Sequence, residues 1–245
     1  MRVISLVPST TEIVAAVGRA PWLVGVTSYC TVGAPPTAAV VGGTKNPDLA
    51  RIVALRPDVV LANTEENRPA DLDTLREQGL NVHETFPRTV EQARDVLCEI
   101  ADVLEAAEQA APIADDITGA LAEAEAAAPD RRVVALTLIW RKPWMGLGPD
   151  TYADDLLWRC GFANALSGYP DRYPRLDEGL HFGADVVLLP SEPYEFGAKD
   201  LPALGALAGD TPARFVDGEL LTWHGPRTAD GLRTFSRLAE ELAAG

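Results

Sequence analysis

The sequence predicts an α/β fold of two lobes, each built on a largely parallel sheet, joined by a single long helix. Apolar strand-like runs alternate with helix-like runs in both halves of the chain, a pattern typical of parallel sheets with crossover helices. Between the halves lies an alanine-rich stretch, residues 105–129, with almost no large apolar side chains. We therefore expect an N-terminal lobe over 1–104, an inter-lobe helix over 105–129 and a C-terminal lobe over 130–245.

In the first half, strands are predicted at short apolar runs and helices where apolar positions recur every three to four residues. Ser9 and Glu12 have capping-box spacing, so Ser9 is expected to cap the first helix. Pro57 should separate a helix from the next strand, because the residue before proline disfavours helix. The predicted strands are 2–7, 23–26, 39–41, 58–62 and 80–83, and the predicted helices are 10–17, 48–55, 69–78 and 89–104.

Residues 105–129 favour helix because alanine and glutamate are strong helix formers. Pro112 is tolerated only near a helix start or at a kink. A lone helix with so little to bury is best explained as a spacer between two packed bodies, and disorder is the alternative. Beyond it, strands are predicted at 133–139, 185–190 and 213–216, and helices at 151–160 and 228–243.

Composition excludes several classes of partner. The chain has 245 residues with 21 basic and 36 acidic side chains, a net charge of −15, which argues against nucleic acid and against an anionic membrane surface. No apolar run approaches the roughly 20 residues that span a bilayer. Pro8 and Glu12 interrupt any apolar signal segment, so we expect a cytoplasmic protein. A removed upstream leader would instead make it periplasmic or lipid-anchored outside the cytoplasm.

Catalytic motifs are missing from the sequence. It has no GxGxxG, P-loop, GxSxG or HExxH pattern. Its three cysteines are isolated and odd in number, which supports neither a disulfide framework nor a zinc cluster. The histidines His83, His181 and His224 are too far apart for a sequence-local metal triad. We predict no catalytic residue and no required cofactor, and expect a non-enzymatic, monomeric binding protein.

Several segments place aromatic and polar side chains just after predicted strands, where ligands bind in open α/β sheets. Three of the five tryptophans lie in such segments. A tryptophan face suits stacking on a large planar or macrocyclic ligand, and the alternative is that these rings plug the lobe surfaces. Residues 191–196 either line the same crevice or form an exit turn. The candidate ligand contacts are Tyr29, Glu65, Trp140, Trp144, Tyr194, Trp223, His224 and Arg227.

These residues give the chain a resemblance to the helical-backbone substrate-binding proteins of ABC importers, closest to the cobalamin-binding type. The resemblance covers nearly the whole chain. It is carried by RVISLVPSTTEIVAAVG (2–18), VGVTSYC (24–30), LARIVALRPDVVLA (49–62), VEQARDVLCEIADVL (90–104), LIWRKPWMGLGPDTYADDLLWRCGFAN (138–164), ADVVLLPSEPYEF (184–196) and VDGELLTWHGPR (216–227).

The resemblance implies two α/β lobes on a helical backbone, with the ligand held in the inter-lobe cleft and little closure on binding. Tyr29 would line that cleft, Trp223 and Arg227 would contact the ligand, and Trp140 and Trp144 would form another aromatic wall. The family docks on its permease through one glutamate on each lobe. Glu178 would be the C-lobe glutamate, whereas Ala50 stands at the N-lobe position. Residues 43–46 also depart from the family, which carries an aromatic there.

The function expected from the sequence is binding of cobalamin or a related metal chelate, as a component or relative of an ABC importer. His224 is a candidate axial metal ligand, because imidazole is a good nitrogen ligand for cobalt. One alternative is an iron–siderophore or haem receptor, in which Arg141, Lys142 and Arg227 face an anionic chelate. Another is a cytosolic enzyme or chaperone that handles a metallocofactor and has reused the fold.

Overall fold

The structure, a computed structural model, describes residues 1–180 and 182–244, so His181 lies outside the described residues. Contacts divide the chain into two compact units. Unit 1 comprises Met1–Pro87, Gln92–Asp116 and His224–Pro226; unit 2 comprises Arg88–Glu91, Ile117–Trp223 and Arg227–Gly245. The domain limits expected at residues 104 and 130 stay a prediction.

Unit 1 is built on a five-stranded parallel sheet with strand order β3-β2-β1-β4-β5. The central strand β1 and its neighbour β4 are entirely buried, as expected for a parallel sheet covered on both faces. The elements of the first part of the chain are β1 Val3–Ser5, α1 Pro8–Ala16, a short 3-10 helix Ala20–Trp22, β2 Leu23–Val26, β3 Ala39–Val40, α2 Leu49–Ala54, β4 Val59–Asn63, α3 Pro69–Glu77, β5 Val82–Thr85 and α4 Val90–Val103.

The expected role of Ser9 as a helix cap is wrong. Helix α1 begins at Pro8, two residues before the predicted start, and its N-cap residue is Val7, with no side-chain capping bond. Proline suits the first helical position, because its fixed φ matches the helix and its missing N–H would be unpaired there anyway. Ser9 therefore lies inside the first turn, where its hydroxyl is available for another contact.

The alanine-rich stretch forms α5, Ala107–Ala127, with Pro112 inside it. One face carries mostly small buried side chains, Ala110, Ile117, Ala120 and Ala124. Residues up to Asp116 count with unit 1 and those from Ile117 with unit 2. The predicted helix is therefore present, while its role as a spacer stays a prediction. None of the helices among the described residues is both long and apolar enough to cross a membrane.

Unit 2 contains a second sheet, with strand order β10-β9-β6-β7 and β8 paired to the first half of β6. All pairs are parallel except β6 with β7, which forms an antiparallel hairpin. The short strands β7 and β8 and the helices α7 and α8 were not predicted. The elements are β6 Val133–Trp140, β7 Met145–Gly146, α6 Tyr152–Arg159, β8 Phe162–Asn164, β9 Val186–Pro190, a 3-10 helix Ala198–Asp200, α7 Leu201–Ala208, β10 Ala213–Val216, α8 Gly218–Thr222 and α9 Thr228–Ala244.

Candidate functional site

In unit 1, the chain leaves β1 toward β2 and β3 and later returns to β4 on the other side of β1. This reversal of strand order marks the carboxyl ends of β1 and β4 as the usual ligand position in open α/β sheets. The segments that border it are the start of α1 and residues 64–68 after β4. The candidate site in unit 1 is therefore built from loops and not from the strands themselves.

A buried amide holds these loops of unit 1 in place. Asn67 is only 2% exposed, and its Nδ2 donates to the carbonyl oxygens of Thr44 at 3.0 Å and Leu6 at 3.4 Å. Its Oδ1 accepts the backbone N–H of Asn63 at 3.0 Å. One side chain thus ties together the segments that follow β1, β3 and β4, and a buried amide with its partners satisfied rigidifies what it joins.

The predicted contact Glu65 lies on this network through its backbone. Its N–H donates to Asn63 Oδ1 at 2.9 Å, and its carbonyl oxygen accepts from the Lys45 ammonium. The predicted contact Tyr29 follows β2 and is 61% exposed. Its ring lies close over Gly43, where an added Cβ would be 3.3 Å from the ring. Tyr29 therefore offers its other surface to solvent at the strand-end edge of unit 1.

His224 is buried within unit 1, and its Nε2 lies 3.4 Å from Ser9 Oγ at the start of α1. Burial lowers its pKa to about 4, so the imidazole is neutral at neutral pH, the form that ligates metals. The next residue, Gly225, has a φ of 112° and packs on Ile13, where a Cβ would come within 2.7 Å. Among the described residues, no group of three or more His, Cys, Asp or Glu side chains could hold a metal ion.

In unit 2, the corresponding reversal lies between β6 and β9, because β8 pairs with β6 on its other edge. The end of β6 and the loops that follow these two strands carry four aromatic rings, which we call the aromatic cluster: Trp140, Trp144, Tyr194 and Phe196. Trp140 and Tyr194 meet edge to face with centroids 5.6 Å apart. Tyr194 and Phe196 do so at 4.7 Å, and Trp144 lies parallel to Phe196 at 6.4 Å. Such geometries are the favoured ones for aromatic pairs.

The members of the aromatic cluster differ in exposure. Trp140 is 42% exposed, Tyr194 is half-buried, and Trp144 is buried against Phe196. The indole N–H of Trp144 donates to the carboxylate of Glu178 at 3.4 Å. Trp140 is therefore the ring of this cluster that presents a broad face to solvent, while Trp144 packs into the core of unit 2.

A buried carboxylate connects the two loops that carry the aromatic cluster. Asp200 is 1% exposed, and its Oδ1 pairs with Arg141 at 3.0 Å and accepts the Tyr194 hydroxyl at 3.3 Å. Its Oδ2 accepts the Gly197 N–H at 3.0 Å. Desolvation acts to raise the pKa of Asp200, but these hydrogen bonds and the nearby cations outweigh it and lower that pKa. The carboxylate is therefore ionised at neutral pH.

Trp223 and Arg227 form a separate group in unit 2. Trp223 is buried, and its indole N–H donates to Glu192 Oε2 at 2.8 Å. The Arg227 guanidinium lies 5.1 Å from the Trp223 ring centre and pairs with Glu219 at 2.9 Å. A Cβ on Gly218 would come within 2.3 Å of the Glu192 backbone nitrogen, so this packing requires glycine at position 218.

The predicted site residues fall into separate groups. Unit 1 holds Tyr29, Glu65 and His224, whereas unit 2 holds Trp140 in contact with Tyr194, and Trp223 in contact with Arg227. Glu178 is exposed in unit 2, and its docking role stays a prediction, as do the ligand contacts. Sequence reasoning missed Ser9, Asn67 and Asp200 as members of these groups. Each is a common capping or turn residue, and one partner of each, respectively His224, Leu6 and Arg141, is distant along the chain.

A family model described as periplasmic binding protein matches residues 3–184. This chain belongs to the periplasmic binding protein family. The match confirms the family resemblance seen in the sequence, and it spans strands from both sheets described above.

Curated relatives match part of this periplasmic binding protein. The vitamin B12-binding protein of Vibrio cholerae is 33% identical over 108 residues, which cover 43% of this chain and 36% of the relative. The vitamin B12-binding protein of Yersinia pestis is 34% identical over 117 residues, covering 46% of this chain and 41% of the relative. The aligned stretches thus span well under half the length of these relatives.

Solved structures match over nearly the full length. The haem-binding protein RhuT from Roseiflexus aligns with a TM-score of 0.83 at 22% identity, covering 99% of this chain and 98% of the other. The vitamin B12-binding protein BtuF of Vibrio cholerae aligns with a TM-score of 0.81 at 20% identity, covering 100% and 98%. A structure of the haem-binding protein BhuT with two haems aligns with a TM-score of 0.81 at 26% identity, covering 98% of each chain. These likenesses confirm the predicted α/β fold class.

Proposed function

We propose that this protein binds cobalamin or a related metal chelate without chemical conversion, as the substrate-binding component of an ABC importer or a relative of one. The observation that carries the proposal is the aromatic cluster of unit 2. Its ring Trp140 is 42% exposed at the carboxyl edge of the sheet, next to the strand-order reversal. An exposed indole face in that position suits a large flat ligand. The vitamin B12-binding relatives support the choice of ligand.

Three other predicted site residues are part of this proposal, and their surroundings support it to different degrees. Tyr29 is exposed at the strand-end edge of unit 1 and is proposed as a second stacking residue. His224 is a neutral imidazole but is buried against Ser9, so coordination of cobalt or iron would require that packing to open. Glu178 is proposed as a docking residue for a permease, which would place the protein outside the cytoplasmic membrane.

A second candidate ligand is an anionic iron chelate such as haem. Several structural neighbours are named as haem-binding proteins, including BhuT at 26% identity over nearly the whole chain. In unit 2, Arg141 and Lys142 follow Trp140 in the chain; Arg141 pairs with Asp200, whereas Lys142 is exposed. Cations next to an aromatic face suit a flat ligand that carries carboxylates. Competition between hemin and cyanocobalamin separates the two candidates.

The test is a titration of the purified protein with cyanocobalamin and with hemin, followed by calorimetry and by the ligand absorption spectrum. We expect saturable one-to-one binding of at least one ligand. Trp140→Ala should weaken it by about tenfold or more, since stacking on one aromatic ring contributes about 1–3 kcal/mol.

Trp158→Ala is the matched control. Trp158 is also an exposed tryptophan of unit 2, at 50% exposure, but it lies in the last turn of α6 and stacks with Arg132, which precedes β6. Its loss should leave the affinity unchanged. Failure of both ligands to bind at micromolar concentration would reject the proposal, and equal losses in the two variants would show that binding is non-specific.

A further inference from the structure

In unit 2, one carboxylate joins the end of β6, which carries Trp140, to the loop that carries Tyr194. Trp140 ends β6, Tyr194 follows β9, and their 5.6 Å edge-to-face contact holds only while both loops keep their positions. Arg141 adjoins Trp140 and pairs with Asp200, and the Tyr194 hydroxyl donates to the same Oδ1 atom of Asp200. A single carboxylate oxygen thus binds one group from each loop.

Asp200 is at the N-cap position of α7, where aspartate is common because its side chain accepts a helix N–H. Here the side chain makes no capping bond to α7. Its oxygens are used instead by Arg141, Tyr194 and Gly197. Capping of α7 therefore does not explain the residue. The bond to Gly197 closes the start of the preceding 3-10 helix, but the bonds to Arg141 and Tyr194 have no capping role.

The energetics also argue that the carboxylate has a role. Burying a charge is costly unless it is paired and hydrogen-bonded, and a well-packed apolar group often gives equal or greater stability at such a site. Asp200 is fully buried yet remains ionised, because Arg141 and two hydrogen-bond donors compensate it. Besides any stabilisation, the arrangement fixes the positions of the two loops relative to each other.

We propose that Asp200 is a positioning residue for the chelate-binding surface. By holding Arg141 on one loop and Tyr194 on the other, its carboxylate fixes Trp140 and Tyr194 in the arrangement that the ligand meets. This inference rests on the function proposed above. A preorganised surface binds more tightly because its side chains are already ordered before the ligand arrives.

The first measurement needs no ligand. The protein is labelled with fluorotryptophan, and the fluorine NMR signals of its five tryptophans are assigned with single Trp→Phe variants. In Asp200→Asn we expect the Trp140 signal to shift or broaden, since its loop loses the charged partner. The signals of Trp22 in unit 1 and of Trp158 on α6 should stay in place. An unchanged Trp140 signal would overturn the inference.

The second measurement is affinity for cyanocobalamin and hemin. Asp200→Asn should weaken binding by about tenfold for whichever ligand the wild type takes. Asp185→Asn is the matched control, because Asp185 also accepts one arginine, Arg131 at 3.0 Å, and one backbone N–H, Val134 at 2.9 Å. It lies at the other end of β6, and its substitution should change neither the Trp140 signal nor the affinity.

A double variant separates positioning from stability. Removing one partner of a buried pair leaves an uncompensated charge, whereas removing both is often tolerated. Arg141→Gln with Asp200→Asn should therefore be more stable than either single variant and still show a displaced Trp140 signal and the tenfold loss. Recovery of wild-type affinity and wild-type signal in the double variant would show a purely structural role. If the wild type binds neither ligand, the proposed function fails, and the fluorine spectrum alone decides whether Asp200 fixes the ring.

Discussion

In unit 1 a buried neutral amide joins the loops at the strand ends, whereas in unit 2 they are held by aromatic contacts and an ion pair. Asn67 joins three segments of unit 1 through amide and carbonyl groups. Asp200 joins two loops of unit 2 through a carboxylate, a guanidinium and a phenol. The two sheets have related strand-order reversals, but different chemical groups hold the loops at their strand ends. We therefore expect the stability of the two units to respond differently to acid and to substitution.

The largest effect expected from this contrast is acid sensitivity that arises in unit 1. The pKa of His224 is lowered from 6.5 to about 4 by burial, so below pH 6.5 the unfolded chain binds a proton that the folded chain does not. The contribution of His224 to the free energy of unfolding should therefore fall by up to about 3 kcal/mol as the pH drops through this window, and this contribution should level off below about pH 4. His224→Gln removes the titrating imidazole, so the free energy of unfolding should depend less on pH in this variant. The measurement is urea unfolding at a series of pH values.

Asp200→Asn is the control for this prediction. The folded-state pKa of Asp200 is lowered below its usual value of 3.8, so the stabilisation from its ionised form is present above that value. It is lost only as the pH falls through the lower folded pKa. Between pH 6.5 and 4, the free energy of unfolding of this variant should change with pH in the same way as that of the wild type. If the free energy of unfolding of His224→Gln also changes with pH as in the wild type, His224 is not the source of the acid sensitivity.

A smaller effect is expected from the amide network of unit 1. Asn67→Ala removes bonds to Leu6, Thr44 and Asn63 and leaves buried backbone groups without their partner. We expect a loss of about 2 kcal/mol in the free energy of unfolding, measured by urea denaturation. Thr64→Ala, at an exposed position in the same loop, should cost less than about 0.5 kcal/mol. Similar losses in the two variants would argue against the network.

The smallest effect is expected at Trp223 in unit 2. Trp223→Phe keeps a ring in the buried site but removes the indole N–H that donates to Glu192 at 2.8 Å. We expect a loss of about 1 kcal/mol, because the hydrogen bond is charge-assisted but the ring packing is largely kept. Trp158→Phe alters an exposed ring and should be nearly neutral. No loss in Trp223→Phe would show that the bond adds nothing to stability.

Much of the fold could be predicted because it depends on local periodicity. Apolar runs marked the buried strands β4 and β9, and the predicted limits of β6 differ from the observed ones by a single residue. The predicted start of α1 at residue 10 was wrong, because proline suits the first position of a helix and α1 begins at Pro8. The strands β7 and β8, of two and three residues, are too short to carry a period.

The position of the candidate site in each sheet could be predicted from the sequence, but the burial and the partners of its side chains could not. The polarity of parallel strands places Trp140 and Tyr29 at the strand-end edges, and both are exposed there. The burial of Trp144 and Trp223 depends on partners from other segments, Phe196 and Glu192, which no local pattern indicates. Asp200 looks like an ordinary helix cap in the sequence, since its partner Arg141 is 59 residues away.

The composition of unit 1 has a consequence for synthesis on the ribosome. Its central strand β1 pairs with β4, and Val3 faces Val59. Ser9 meets His224 across 215 residues of chain, and His224–Pro226 belong to the same unit. Closing such long loops is entropically unfavourable and slows folding. The first residues of unit 1 therefore emerge before those of unit 2, but unit 1 acquires its full set of contacts only after His224–Pro226 have been translated.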